Sequence, residues 1–326
     1  MTRILGIETS CDETGVAVVE DGRRIVASAV ASQIAIHAEF GGVVPEIASR
    51  QHTQCISQLT QRVIREAGDR VDAVAATQGP GLMGALLVGV CYAKALAHAW
   101  RRPFIPVHHI EGHIFSVFLT DNAPEFPFLA LVVSGGHTCL LECRAPHEYA
   151  LLGTTRDDAV GESFDKVARL LGLPYPGGPS IQKAAEQGNP EAFRFPRGLA
   201  RSGELEFSYS GLKTAVFYAL RKYDDGFSVP DFAASFQAAA IDVLLTKTKL
   251  AISKTRATRL VLAGGVAANR LLRERLIAEL DIPVHMPPLD LCLDNGAMIA
   301  AAGDSRFRRR LFGDLHTTPS PNLPLR

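Results

Sequence analysis

The sequence predicts an α/β protein of two lobes, each a mixed sheet with helices, facing each other across a cleft. Three observations lead there. Strand-like and helix-like segments alternate along most of the chain. The pattern also returns: strand, Gly-rich turn and helix over 71–99 is echoed at 259–280, and strand, tight turn and strand over 3–20 is echoed at 128–143. Finally, 326 residues exceed what a single hydrophobic core usually organises.

Taken in order, the chain opens with a strand at 3–7, a polar turn through Thr9, Ser10, Cys11 and Asp12, and a strand at 16–20 that Asp21-Gly22 turns into a third. Pro45 suits the first turn of a helix that runs to Ala67 and stops at Gly68. A strand at 71–77 enters the turn GPGLMG and then an apolar helix to Trp100; a short strand at 104–107 delivers HHIEGH and a helix ending near Leu119. A proline-bearing link at 122–127 separates the halves, giving a first lobe over 1–121 and a second over 122–294, with a last helix at 295–312 able to pack back on the first. The second lobe reads as strands at 128–133, 138–143 and 149–153, helices at 162–171, 180–187 and 231–254, a buried strand at 259–263 and a helix at 268–280.

With 47% hydrophobic and 21% charged residues, disorder is excluded. No apolar run reaches the roughly 20 residues that span a bilayer, and MTRILGIETS lacks a signal-peptide pattern, so a cytoplasmic protein without a membrane segment is expected. Six scattered cysteines without a CxxC pair agree with reduced, mostly buried thiols. Lys+Arg and Asp+Glu both number 34, so net charge supplies no attraction to phosphate, and a nucleic-acid substrate would need a local basic patch or a partner protein. The one dense basic cluster, Arg306, Arg308, Arg309 and Arg310, reads equally as a solvated tail or an RNA contact.

His109 and His113 lie four residues apart at a helix start, so both imidazoles project from one face. A transition metal needs two such nitrogens plus a further ligand, and Asp294, at another probable helix start, is the candidate. By themselves the residues leave two readings open, because Asp294 also suits a helix N-cap and each histidine a satisfied core or surface group. The HExxH peptidase helix is absent, since Glu111 follows His109 by two residues and points elsewhere on a helix. Gly-rich turns at 79–84, 134–136 and 264–269 allow close backbone approach to a phosphate or base, but neither a P-loop nor a dinucleotide fingerprint occurs. Asp157, Asp158, Glu162 and Asp165 precede a Pro-Gly-Gly turn and read as ribose acceptors or, preferably, as an acidic helix start.

ETSCDET (8–14), GGVVPEIASRQH (41–52), GPGLMGALLVG (79–89), HHIEGH, VVSGGHT, SFDKVARLLGLPYPGGP, FSYSGLKTA, AGGVAANR and DNGAMIA together resemble the TsaD family, in the expected order from residue 3 to about 303. These are bacterial tRNA adenosine threonylcarbamoyltransferases, once labelled sialoglycoprotein endopeptidases. The resemblance implies an actin-like, sugar-kinase-like (ASKHA) fold with the active site between duplicated mixed-sheet lobes. It implies transfer of a threonylcarbamoyl group from threonylcarbamoyl-AMP to the exocyclic amine of the tRNA adenosine beside the anticodon, position 37, with release of AMP. It also implies metal ligands at His109, His113 and Asp294, and substrate contacts at Val132, Val133, Ser134, Gly135, Gly136, Asp165, Gly178 and Asn269. One divalent ion per subunit is expected, iron ahead of zinc, although two nitrogens and a carboxylate suit both. TsaB and TsaE are the implied partner proteins, with ATP acting through the complex. No general base is evident. Gln182 stands where some members carry an aspartate. The alternative is an actin-like ATPase or small-molecule kinase, with a metallopeptidase behind it; a non-catalytic scaffold would not need the two histidines and Asp294.

Overall fold

The computed structural model describes residues 1–223 and 228–325. Along the chain run β1 (Arg3–Glu8), β2 (Glu13–Glu20), β3 (Arg24–Ser32), α1 (Ile34–Ala38), α2 (Pro45–Ala67), β4 (Ala73–Gly79), α3 (Met83–Trp100), β5 (Phe104–His108) and α4 (His109–Phe115). There follow β6 (Phe128–Val133), β7 (Thr138–Ala145), β8 (Glu148–Thr154), α5 (Val160–Leu170), α6 (Gly177–Ala185), α7 (Ser210–Tyr223), α8 (Val229–Thr255), β9 (Leu260–Ala263), α9 (Arg270–Glu279), β10 (Val284–His285) and α10 (Gly296–Arg308). Two compact units result, Met1–Pro124 with Pro287–Arg326, and Glu125–Met286. Asp294 therefore lies in the first unit with both histidines, where the sequence drew the second lobe on to 294.

The sheet order in the first unit is β3-β2-β1-β4-β5, and in the second β10-β9-β6-β7-β8. Each sheet has an antiparallel meander of three strands (β1-β2-β3 and β6-β7-β8), with parallel strands added beside the first of them (β4-β5 and β9-β10). The repeat glimpsed in the sequence is thus a repeat of topology.

Strand alternation buries both faces of the first sheet. Leu5 and Ile7 point to one side, where Ile56, Val63 and Ala67 of α2 and Val90, Ala93 and Ala97 of α3 cover them. Ile4 points to the other, onto Ala297–Ala302 of α10. By length and composition α3 could cross a membrane, but its Ala85, Leu86, Gly89, Val90, Ala93 and Ala97 side is buried in this core. The α10 side is packed unusually close. A Cβ on Gly6 would collide with Gly296 O and Ala300 N, and one on Gly296 with the backbone of Val16 and Ala17. The chain beyond α10 is tied along the β4–β5 edge: Gly313 N donates to Phe104 O (2.9 Å), Ser320 N to Gln78 O (2.9 Å), and Lys94 Nζ to Thr317 O (2.9 Å).

In the second unit α8 is the central helix. It packs against α6, and Phe236 meets Phe164 of α5 edge to face at 5.0 Å. Helix α7 and the two-residue β10 are additions to the sequence reading.

Candidate metal centre

Helix α4 starts where β5 ends, and all seven of its residues are buried. His108 caps it, with Nδ1 accepting from Ile110 N (3.1 Å) and Nε2 facing Leu323 O (2.9 Å). Burial lowers its pKa to about 4, so this ring is neutral and Nε2 donates. His109 and His113, one turn apart, share a face, their rings 4.6 Å apart.

The third candidate arrives at the mouth of α10. Its N-cap is Asn295, whose Oδ1 accepts from Met298 N (2.9 Å) and whose Nδ2 donates to Leu293 O (2.7 Å). The capping duty weighed for Asp294 therefore falls to its neighbour. Asp294 Oδ1 lies 3.2 Å from His113 Nε2 and 3.7 Å from His109 Nε2. One potential ligand atom from each residue falls within 4.8 Å of the others.

Whether these residues suit a metal can be tested on His113. The side chain is fully buried, and neither ring nitrogen has a hydrogen-bond partner among the described residues. Its approach to Asp294 is close in distance but lacks hydrogen-bond geometry. A buried imidazole with both nitrogens unsatisfied is costly unless a cation takes a lone pair. For His109, burial opposes protonation, but the carboxylates of Asp294 and Glu8 outweigh it and push the pKa up to about 9. The cluster favours positive charge at this point, and two imidazoles with one carboxylate fit a divalent transition metal.

Several neighbours escaped the sequence reading. Glu8, Ser10 and Thr77 gather on the far side of His109. Burial, then Asp12 and Asp294, push Glu13 up to about 9, and burial with the same carboxylates raises the Cys11 thiol, which leaves it protonated. All of these but Thr77 lie within ETSCDET, and only the return of α10 to β1 and β2 brings Asp294 to them.

Glu111 is fully buried and turned away to Arg306 Nε (2.8 Å), as its place on the helix predicted. The arginine cluster is thereby divided. Arg306 holds Glu111, Arg308 holds Asp304 (2.7 Å), and Arg309 and Arg310 are exposed.

The remaining candidates lie in the second unit. Val132 and Val133 are buried at the end of β6, and Ser134 Oγ and N close the following turn on His137 N (3.1 Å) and His137 O (2.8 Å). Gly135, Gly136 and Gly178 have nothing within 4 Å of where a Cβ would sit, so their backbones are open to approach. Asp165 Oδ1 accepts from Gly177 N (2.6 Å) and anchors the turn that presents Gly178. Asn269 caps α9 through Leu272 N (3.0 Å) and donates to Gln237 Oε1 (2.8 Å). Gln182, the departure noted above, accepts from Arg270 N (2.8 Å) at the same helix start. Asp157 accepts from Ser208 Oγ (2.6 Å), Tyr209 N (2.7 Å) and Ser210 Oγ (2.8 Å), so it fastens the start of α7. Those bonds outweigh partial burial and hold its pKa below the usual carboxylate range. Asp158 and Glu162 both pair with Lys166, at 2.7 and 2.8 Å.

Residues 24–301 match the family described as TsaD: tRNA N6-adenosine threonylcarbamoyltransferase. A relative of that description from Moorella thermoacetica is 52% identical over 333 residues, covering 99% of this chain and 97% of its own. Another, from Anaeromyxobacter dehalogenans, is 50% identical over 334 residues, covering 99% and 100%. Among solved structures, component A of the Acidaminococcus fermentans (R)-2-hydroxyglutaryl-CoA dehydratase aligns over 94% of this chain and 99% of its own, with TM-score 0.57 and 14% identity. At that identity the likeness concerns the fold alone, which is the actin-like, sugar-kinase-like (ASKHA) class with duplicated mixed sheets. The family match spans most of the chain and the relatives align nearly end to end, so the chain belongs to the TsaD family and is a tRNA N6-adenosine threonylcarbamoyltransferase.

Proposed function

We propose that the chain acts in the cytoplasm, moving the threonylcarbamoyl group of threonylcarbamoyl-AMP to the exocyclic amine of tRNA adenosine 37 and releasing AMP, with TsaB, TsaE and ATP supporting turnover. The observation that carries the metal part of this reading is the convergence of His109, His113 and Asp294, with the His113 nitrogens buried and unsatisfied. These three residues hold one divalent ion, iron in preference to zinc. When bound, such an ion acts as a Lewis acid and template for the carbamoyl or phosphate oxygens of the adenylate.

The chain's own groups bind and orient. The open backbone of Gly135 and Gly136 receives developing negative charge, since backbone N–H groups can be aimed without reorganisation, while Ser134 N and Oγ hold the turn in shape. Asp165 takes ribose hydroxyls with the acceptor capacity left beside Gly177 N, Gly178 gives the nucleotide room, and Asn269 lines its far side. AMP is a good leaving group, so a strong general base is dispensable.

Mass spectrometry of tRNA nucleosides after incubation with threonylcarbamoyl-AMP, with and without TsaB, TsaE and ATP, tests the assignment. A threonylcarbamoyl mass increment on adenosine is expected. ADP release with a sugar acceptor and no modified nucleoside would favour the kinase reading instead.

For the nucleotide site, Asp165→Ala should weaken binding of a non-reactive adenylate analogue by about 1–3 kcal/mol, the usual cost of leaving a polar partner unsatisfied, with metal content unchanged. Both positions also carry a structural bond: Asp165→Ala frees Gly177 N, and Asn269→Ala removes the α9 cap, worth about 1 kcal/mol of stability, so denaturant unfolding accompanies the binding measurement. Calorimetry giving wild-type affinity for Asp165→Ala counts against the pocket.

A further inference from the structure

We propose that Glu8 is the positioning residue for His109, holding that imidazole with its proton on Nδ1 and its Nε2 lone pair directed toward Asp294 and His113. The inference deepens the metal reading above and rests on it.

Glu8 is the last residue of β1 and fully buried. Its carboxylate is pinned from two directions. Oε1 accepts from Ser10 N (2.5 Å) in the turn after β1, and Oε2 accepts from Thr77 Oγ1 (2.6 Å) on the neighbouring strand β4. Oε2 then lies 3.2 Å from His109 Nδ1. Among the described residues His109 is the cationic partner that Glu8 has, with no lysine or arginine paired to it. A buried carboxylate without a compensating charge is strongly unfavourable, so both the carboxylate and the ring gain from a proton held between them. In metal sites such a carboxylate fixes the tautomer of the liganding histidine and raises its basicity.

Ser10 Oγ is also 3.2 Å from His109 Nδ1, and it is the competing acceptor. A carboxylate oxygen accepts more strongly than a neutral hydroxyl, and the Ser10 backbone is already spent on steering Glu8. The other histidine has no equivalent: His113 Nδ1 is without a hydrogen-bond partner among the described residues. The pair is therefore asymmetric, with one ring oriented by a fixed carboxylate and the other by packing and by Asp294. Glu8 is sealed from solvent, so it acts through His109 rather than on substrate.

Two measurements on the full-length protein test this. The first is a double-mutant cycle on the metal-free chain with Glu8→Gln, His109→Ala and both, followed by denaturant unfolding, since such a cycle isolates the pair. A coupling of about tenfold or more in the folding equilibrium is expected, and additive changes would overturn the pairing. The second is zinc affinity by chelator competition, with the imidazole nitrogen resonances of the zinc-loaded protein recorded by NMR. Glu8→Gln should bind zinc about 10- to 100-fold more weakly, the usual effect of losing such a partner, and the His109 Nδ1 proton should lose its downfield shift. Ser10→Ala should change both far less. Wild-type affinity in Glu8→Gln, or a Ser10→Ala effect larger than that of Glu8→Gln, removes Glu8 from the role. Should Glu8→Gln fail to fold, Thr77→Val, which frees Oε2 from its pin, is read by the same zinc and NMR measurements, with a smaller loss expected and no change overturning the idea. A wild-type chain that takes up no zinc or iron defeats the metal reading, while the metal-free cycle still decides the Glu8–His109 pair.

Discussion

Alanine at His109 or at His113 is expected to abolish stoichiometric metal and threonylcarbamoyl transfer, but the two variants should differ in what they do to the fold. Each removes one of the three converging donors, and two remaining ligands do not hold a divalent transition metal tightly. Without metal, His109→Ala strands the Glu8 carboxylate, which is fully buried and has no other cationic partner among the described residues. Breaking a buried pair by removing one member costs about 3–5 kcal/mol. His113→Ala opens a similar cavity, yet it also deletes two buried nitrogens that had no hydrogen bond. An unsatisfied buried polar group carries a penalty of about 1–3 kcal/mol, which its removal returns, so this variant stays much closer to wild type. Elemental analysis, the nucleoside assay and denaturant unfolding of the metal-free proteins check the three parts. Full metal in both variants removes the triad, and equal destabilisation removes the distinction between the two histidines.

The legible parts of this protein were those where local chemistry decides. Pro45 at a helix start and Gly68 at its end, with φ of 82°, bracket α2 as the sequence placed it. The strand at 128–133 and the turn after it also fell where expected, because a continuous apolar run ended by Ser-Gly-Gly has few other meanings. Helix α7 was missed for the opposite reason. Its start at Ser210-Gly211 is fixed from a distance: Asp157, 53 residues earlier, accepts from Tyr209 N (2.7 Å) and Ser210 N (3.2 Å). That same duty explains why an acidic residue that looked available to a ribose is occupied.

The candidate site divides along the same line. Two histidines four apart on one short helix are a local statement, and α4 presents them as such. Asp294 is a long-range one, since nothing near it in sequence says which wall α10 will lie against. Glu8 was visible as a residue but not as a neighbour, because β1 reaches His109 only once β4 and β5 have been added beside it. Of the glycines that let α10 approach, Gly6 lies inside a strand and Gly296 at a helix start, and nothing local in either segment marks a close contact between them.

Those glycines carry the second large effect. Gly6→Ala places a methyl group against Gly296 O and Ala300 N, which are backbone atoms of α10 rather than the flexible ends of side chains. The collision cannot be relieved by a rotamer change; either β1 or α10 must move. Overpacking in a well-filled core costs about 1–3 kcal/mol and occasionally more, and a backbone-to-backbone clash belongs at the upper end, about 3 kcal/mol or more. The effect should not stop at stability. Asp294 sits two residues before Gly296, so a shift of α10 away from β1 draws the carboxylate off the two histidines. Gly6→Ala is therefore expected to lose metal affinity although it alters no ligand, and to lose it in step with stability. Gly211→Ala is the matched control. It lies in α7, with nothing within 4 Å of the new methyl, and a Gly-to-Ala change in a helix stabilises by about 0.5–1 kcal/mol. Denaturant unfolding beside zinc titration of both variants decides the matter. A Gly6→Ala protein with wild-type zinc affinity would mean that α10 is not what sets the place of Asp294.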